Sequence, residues 1–362
     1  MIGLQEIVKL NSFSIFQGKN AHKMAEWEAL LRSAIESVSD TKDPDERFVW
    51  VIAKSMVGCF IGLFVKQKLL SRIKELKTTK IKTGLGGSAG NKGAVIVRFQ
   101  LDDTNVMLMN CHLMSGKNKG SKRTDELNFI FDNAFKGEVK NRRYCLENHQ
   151  VVFIFGDLNY RICLPNEQVR ALVDQRNYAP LKAADELLTA VKAHRQSTEL
   201  QYQFYREFEE GEIEFRPTYK YDKRSDKYDS SKKQRTPSWY DRILWRRNPK
   251  VVQQVFGCIQ EMNFSDHRPV FAQFEVSVSK IMSDLTAKME EQFFENMRFQ
   301  SLYVFGKKRP ALEECVDEEE RKSLEVLDEQ LNRFSQNSEN RYSENPLVPL
   351  IEEADDEEVD PS

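Results

Sequence analysis

The chain has 362 residues, 40% of them hydrophobic, with only 16 Gly and 11 Pro; it can bury a full core, which excludes wholesale disorder and collagen-like repeats. Its 54 Lys and Arg stand against 56 Asp and Glu for a formal charge of -2, so an anionic partner has to be met by local clusters rather than by a global field. Six cysteines without a CxxC pair argue against a zinc site or a disulfide framework.

In chain order, Gly3–Leu10 (GLQEIVKL) reads as a strand-like apolar run with one acid, Glu6, for which a hard divalent cation is a natural partner. Glu6, Lys9 and Asn11 also stand where a signal peptide would be apolar, and the run Met56–Val65 is too short to cross a bilayer, so a soluble, cytoplasmic protein is expected. Met24, Trp27, Leu31 and Ile35 fall at helical spacing, whereas Val57–Val65 reads as a buried strand. Lys82–Val95 is a Gly-rich turn entering a strand, with Asn91 and Lys92 at its exit; it has neither the spacing nor the following helix of a P-loop.

Ala94–Phe99 and Val106–Cys111 are further strands, the second ending at His112 on the face of Val106 and Leu108. The loop Gly116–Arg123 carries Lys117, Lys119, Lys122 and Arg123, and reads equally as a rest for anionic lipid or a solvated loop. Leu127, Ile130, Phe131 and Ala134 mark a second covering helix.

The strand Val151–Phe155 runs straight into GDLNYR. Asp157 and Asn159, two apart at a strand end, project the same way and can orient a water, although a plain turn uses the same residues. In Arg235–Trp245, Asp241 opens a strand, where it either fixes a histidine's tautomer or pairs with Arg242. SDHRPV then supplies Asp266 and His267, a carboxylate and an imidazole able to hydrogen-bond a phosphoryl oxygen, ahead of the strand Val270–Val276. Strands and helices interleave without a regular βαβ beat, so the fold expected is α/β, a layered sandwich with helices outside. Past Val278, Ile281–Phe305 and Glu313–Phe334 read as appended helix and the chain from Ser335 as a solvated acidic tail, giving domains 1–279 and 280–362.

Taken together, GLQEIV, TGLGGSAGNKGAV, HLMSG, GDLNYRI, FRPTYKYD, KxRTPSWYDRILW and SDHRPV resemble, in order and spacing, the inositol polyphosphate 5-phosphatase catalytic domain, nearest its synaptojanin-like members. The resemblance, over roughly Gly3–Val276, implies the DNase I-like endonuclease/exonuclease/phosphatase fold: a four-layered sandwich of two mixed sheets flanked by helices, with the site where strand ends converge. It implies a Mg²⁺ held by Glu6, a water activated by Asp157 and positioned by Asn159, phosphoryl oxygens bound by His267 (oriented by Asp241) and His112, and Asp266 just behind metal and water. It assigns Tyr219, Lys220, Lys233 and Arg235 to the 4-phosphate of the ring and sets Asn91 and Lys92 near substrate; without it, this stretch reads as a solvated basic loop.

The partner implied is a phosphoinositide headgroup at a membrane surface that the protein visits peripherally, with no nucleic acid. Substrates run from the 4,5-bisphosphate lipid to the 3,4,5-trisphosphate lipid and soluble inositol 1,4,5-trisphosphate. A nuclease of the same fold and a catalytically impaired scaffold are the alternatives. Two positions depart from the pattern: Tyr240, usually smaller, and Thr124, commonly Asn. The family's sheet also opens with a WNV-bearing strand ahead of the segment matching GLQEIV, so a catalytic domain lacking its first strand is expected.

Overall fold

The most apolar runs become the innermost strands. The computed structural model describes residues 1–8, 21–39, 41–136, 144–280 and 292–293. Its strands are Ile2–Leu4 (β1), Phe48–Met56 (β2), Cys59–Lys66 (β3), Ile73–Gly84 (β4), Ala89–Leu101 (β5), Thr104–His112 (β6), Val151–Asp157 (β7), Phe208–Glu210 (β8), Asp241–Arg246 (β9), Val251–Cys258 (β10) and Val270–Val276 (β11). Six form one sheet in the order β4-β5-β6-β7-β9-β8, antiparallel except for the parallel pair β6 and β7. A second layer comprises the sheet β1-β3-β2 and the pair β10-β11.

Alternation along β6 divides the core. Met107, Met109 and Cys111 face Leu127 and Ile130 of the helix Gly120–Asn133 (α2), with Leu187 of Glu186–His194 (α5) in the same cluster. Val106 and Leu108 share the opposite core with Phe153 and Phe155 of β7, Ile61 and Leu63 of β3 and the partly buried Phe274 of β11. Each such side chain contributes about 1.5 to 3 kcal/mol on burial. Outside β2 lies the helix Ala21–Val38 (α1), whose Arg32 guanidinium sits 4.4 Å over the Trp50 ring. Helix, small sheets, large sheet and helices make the four layers. The remaining α-helices among the described residues are Asn166–Asp174 (α3), Ala179–Ala183 (α4) and Gln203–Glu207 (α6). A third cluster, with Ile162, Val169, Leu181 and Trp239, lies under the loops after β8.

Three expectations change. Val57–Val65 is not one strand: Val57, at φ 50°, and Gly58 turn β2 into β3. The strands β2, β4 and β10 escape the apolar-run criterion because they mix polar residues into an edge or half-exposed face; β4, with Lys74, Lys77, Lys80 and Lys82, is an edge strand protected by charge. Arg123 is no loop cation, for it lies in α2, fully buried, 2.8 Å from Glu186.

Met1–Met282 form one compact unit. The second unit, Ser283–Ser362, lies outside the described residues except for 292 and 293, and with it the expected tail helices and acidic end. Among the described residues no helix is long and apolar enough to cross a membrane.

Candidate active site

Sheet register brings the first group of residues together. Gly93 pairs with His112, His112 with Asp157 and Asp157 with Asp241, a single row across β5, β6, β7 and β9. Residues directly opposite in a ladder project to the same face, so an imidazole and two carboxylates line up at one end of the sheet. Gly156 is required just before Asp157: its φ is 119°, and a Cβ there would lie 2.3 Å from the Cys111 carbonyl oxygen.

Asp157 Oδ2 is 3.2 Å from His112 Nε2, and Oδ1 accepts from the Asn159 backbone N–H at 3.0 Å. Lys92 Nζ also touches His112 Nε2. Burial by itself raises the Asp157 pKa, but the hydrogen bond from His112 and the charges of His112, His267 and Lys92 outweigh it and hold the group at about 2. Burial lowers the Lys92 pKa, opposed by Asp157 and Glu6. Asn159 is buried with φ 59°; its Nδ2 donates to the Leu113 carbonyl at 3.0 Å, which leaves Oδ1 as the acceptor end.

Glu6 is not inside a strand. It follows β1 at φ 54°, 62% exposed, with Oε1 3.8 Å from His112 Nε2. The buried Asn110 secures this segment: it accepts from Gln5 Nε2 at 2.6 Å and donates to the carbonyls of Leu4 (3.1 Å) and Phe60 (2.7 Å). Asn110 escaped the sequence reading, although an amide inside the buried run VMLMNC was its signal.

The second group centres on His267, whose Nδ1 is 2.9 Å from Asp241 Oδ2. Thr218 Oγ1 donates to the same carboxylate oxygen at 2.6 Å, a contact unanticipated from sequence. The alternative pairing of Asp241 with Arg242 does not occur: Arg242, fully buried, is bound by Asp185 at 3.0 Å and by Glu210. Burial lowers the His267 pKa, but the charge and hydrogen bond of Asp241, followed by Asp157 and Asp266, raise it to about 9.

Tyr219 bridges Ser238 and His267 through the backbone, and its ring centroid is 4.3 Å from those of both His267 and Tyr240. Lys220 Nζ is 3.8 Å from Asp266 Oδ2, so Asp266 stands beside this loop's cation. The Arg235 backbone donates to Asp229 Oδ2 at 2.8 Å, Lys233 is exposed, and Asn91 Oδ1 is buried without a donor. Tyr240 is 2% exposed beneath the Arg161 guanidinium at 5.0 Å, and Thr124 joins Tyr160 and Tyr205 in a hydroxyl cluster.

No three His, Cys, Asp or Glu side chains converge as a closed metal cage among the described residues. The exposed Glu6 carboxylate, with Asp157 and the amide oxygen of Asn159 across His112, nevertheless fits a hard, oxygen-seeking cation of the kind that keeps waters and takes substrate phosphate as ligand. It does not fit the sulfur and nitrogen preferences of zinc.

A four-layered sandwich with acids and imidazoles gathered at one end of its central sheet is the architecture of the endonuclease/exonuclease/phosphatase class. The chain belongs to Endonuclease/Exonuclease/phosphatase family 2, whose model matches residues 1–273. It is 32% identical over 302 residues to synaptojanin of Caenorhabditis elegans, covering 82% of this chain and 25% of that protein. It is 31% identical over 299 residues to the type II inositol 1,4,5-trisphosphate 5-phosphatase of Mus musculus, covering 82% and 28%. Among solved structures it resembles the inositol polyphosphate 5-phosphatase domain of SpSynaptojanin in complex with inositol (1,4)-bisphosphate and calcium ion, with a TM-score of 0.70, 30% identity and coverage of 84% and 82%. The chain spans between 18% and 28% of the length of such curated relatives.

Proposed function

We propose that this chain is a metal-dependent phosphoric monoester hydrolase that removes the 5-phosphate from inositol-ring phosphates, phosphatidylinositol 4,5-bisphosphate foremost, with Mg²⁺ as its cation. The observation that carries the reading is the row His112, Asp157 and Asp241, joined by a His267 that Asp241 keeps protonated. The likeness to a domain solved with inositol (1,4)-bisphosphate and calcium supports both the substrate class and a divalent cation.

Bound at Glu6, the cation would polarise the scissile phosphate and offset its charge. A carboxylate with a pKa of about 2 is a weak base, so Asp157 acts chiefly by accepting a hydrogen bond from the attacking water and aiming it, with Asn159 Oδ1 as second acceptor. Phosphoryl transfer passes through a loose transition state that asks more for positioning and charge stabilisation than for strong base catalysis. The His267 imidazolium donates to the phosphoryl oxygens as charge develops there, with His112 beside Asp157 contributing from the neighbouring strand. Tyr219, Lys220, Lys233 and Arg235 hold the adjacent 4-phosphate, the two arginine and lysine types giving forked and point-charge contacts respectively. The enzyme works in the cytoplasm on membrane headgroups.

The test is phosphate release from short-chain phosphatidylinositol 4,5-bisphosphate and inositol 1,4,5-trisphosphate, with and without Mg²⁺. Metal-dependent release of one phosphate is expected; no release from either, or release indifferent to chelator, overturns the reading.

A further inference from the structure

The segment from Tyr219 to Arg235 carries every cation of the proposed 4-phosphate clamp, yet it lies between β8 and β9 without a helix or strand of its own. A long loop holds one shape only where hydrogen bonds replace the missing ladder and offset its ordering entropy. Lys220 and Arg235 stand near its two ends, and both have to be held at once to meet one phosphate. At the Lys220 end, the Tyr221 backbone donates to the Asp266 carbonyl at 2.9 Å, which ties the loop to the segment of His267.

Asp229 joins the two ends. It is 2% exposed; its backbone N–H donates to the Lys220 carbonyl at 2.8 Å, its Oδ2 accepts from the Arg235 backbone at 2.8 Å and its Oδ1 from the Ser231 backbone at 3.1 Å. Burial raises the Asp229 pKa, but the hydrogen bonds from Arg235 and Ser231 and the charge of Lys220 outweigh it and lower the value, so the acceptor stays ionised. Both carboxylate oxygens are thus used on the loop's own backbone. From outside, α3 holds the same two arms: Arg170 donates from Nη2 to the Asp229 carbonyl at 2.8 Å and from Nη1 to the Tyr228 carbonyl at 3.3 Å. Its Nε donates at 2.7 Å to Asn166 Oδ1, one turn earlier, and Asn166 Nδ2 donates to the Gln234 carbonyl, next to Arg235. Val169 and Val173 bury the other face of α3 in the cluster of Trp239.

We propose that Asp229, braced from α3 by Arg170, is a positioning residue for the 4-phosphate, setting the spacing of Lys220 and Arg235 before substrate arrives. The inference rests on the reading of those two cations as the 4-phosphate clamp. Asp229 does not touch the phosphate: its oxygens are committed to backbone N–H groups, and its charge has the wrong sign. What it contributes is preorganisation, since a clamp already in place spends less of its binding energy on ordering.

The test is steady-state kinetics of the full chain with Mg²⁺ on dioctanoyl phosphatidylinositol 4,5-bisphosphate and on the corresponding 5-phosphate lipid. Asp229→Asn keeps the size of the side chain but offers one acceptor oxygen in place of two, and Arg170→Lys keeps the charge but loses the fork that reaches two carbonyls. Each should raise KM on the 4,5-bisphosphate about ten-fold, the scale of one charge-assisted hydrogen bond, with kcat held and a far smaller change on the 5-phosphate lipid. The Kd of inositol 1,4-bisphosphate, measured by calorimetry, should rise by the same factor, and it reports on the clamp even if no substrate is turned over. Equal losses on the two lipids, or an unchanged Kd, reduce Asp229 to a support of the fold and overturn the proposal. Asp229→Asn introduced into Arg235→Ala should cost less than in the parent chain, because part of the clamp it positions is already gone; full additivity also overturns it. Failure of the clamp reading looks different: Arg235→Ala by itself then leaves the Kd of inositol 1,4-bisphosphate unchanged, and the positioning role falls with it.

Discussion

Asp157 and Asp241 stand directly opposite each other on β7 and β9, yet each is bonded to a different histidine, Asp157 to His112 at 3.2 Å and Asp241 to His267 at 2.9 Å. One strand pairing thus gives the two carboxylates different partners: His112 and the Asn159 backbone for Asp157, His267 and the Thr218 hydroxyl for Asp241.

The pH dependence follows from the second pair. The His267 pKa is raised from an ordinary 6.5 to about 9, so its ion pair stabilises the fold fully below about pH 6.5 and is lost as pH rises through about 9. Turnover should fall along the same basic limb. In Asp241→Asn the limb should move down toward the ordinary histidine range; identical limbs in the two kcat profiles would dismiss the pairing as the cause. Asp157, with its pKa lowered to about 2, stays ionised down to that range and contributes stability that is lost only as pH falls through it.

Removing a group that aims the water or stabilises the transition state costs ~100-fold or more in turnover. Asp157→Asn and His267→Ala should each reach that loss while melting as cooperatively as the parent chain. Near-normal turnover in both would refute their roles.

Lys220 and Arg235 should act on the 4-phosphate alone. Alanine at either position is expected to cost about 1.5 to 3 kcal/mol in kcat/KM on 4-phosphorylated substrates and far less on analogues lacking that group. Equal losses on both substrate types would sink the assignment.

Glu6→Gln keeps the size of the side chain and removes the charge offered to the cation. The Mg²⁺ concentration for half-maximal activity should rise ~10 to 100-fold, the range for weakened support of a metal site. An unchanged Mg²⁺ titration would place the cation elsewhere.

The buried ion triad around Arg242 is a matter of stability. Arg242→Ala would leave Asp185 and Glu210 as buried carboxylates without their cation, at a cost of about 3 to 5 kcal/mol. Because Asp185 also caps α5 by accepting from the backbone N–H groups of Leu187 and Leu188, the loss should appear as an earlier midpoint in urea; an unshifted midpoint would contradict it.

What the chain alone determines here is whatever is written in local order. The run VVFIF marks a strand buried on both faces, whereas VFAQFEV, read from its apolar content as equally buried, is a strand whose residues alternate between half-buried and exposed; both leave an imprint on consecutive residues. The motif residues Asp157, Asn159, Asp241 and His267 stand at strand ends, where a departure from apolar pattern is visible. Long-range register decided the rest. Only the pairing of β7 with β6 and β9 sets Asp157 between His112 and Asp241, because one slipped residue would turn every side chain to the other face. Asp241 takes His267 rather than its neighbour Arg242 because adjacent residues on a strand point to opposite faces, and the opposite face holds Asp185 and Glu210. Glu6, Asn110, Thr218 and Arg161 owe their surroundings to chain segments up to about a hundred residues away, and no local pattern carries that information.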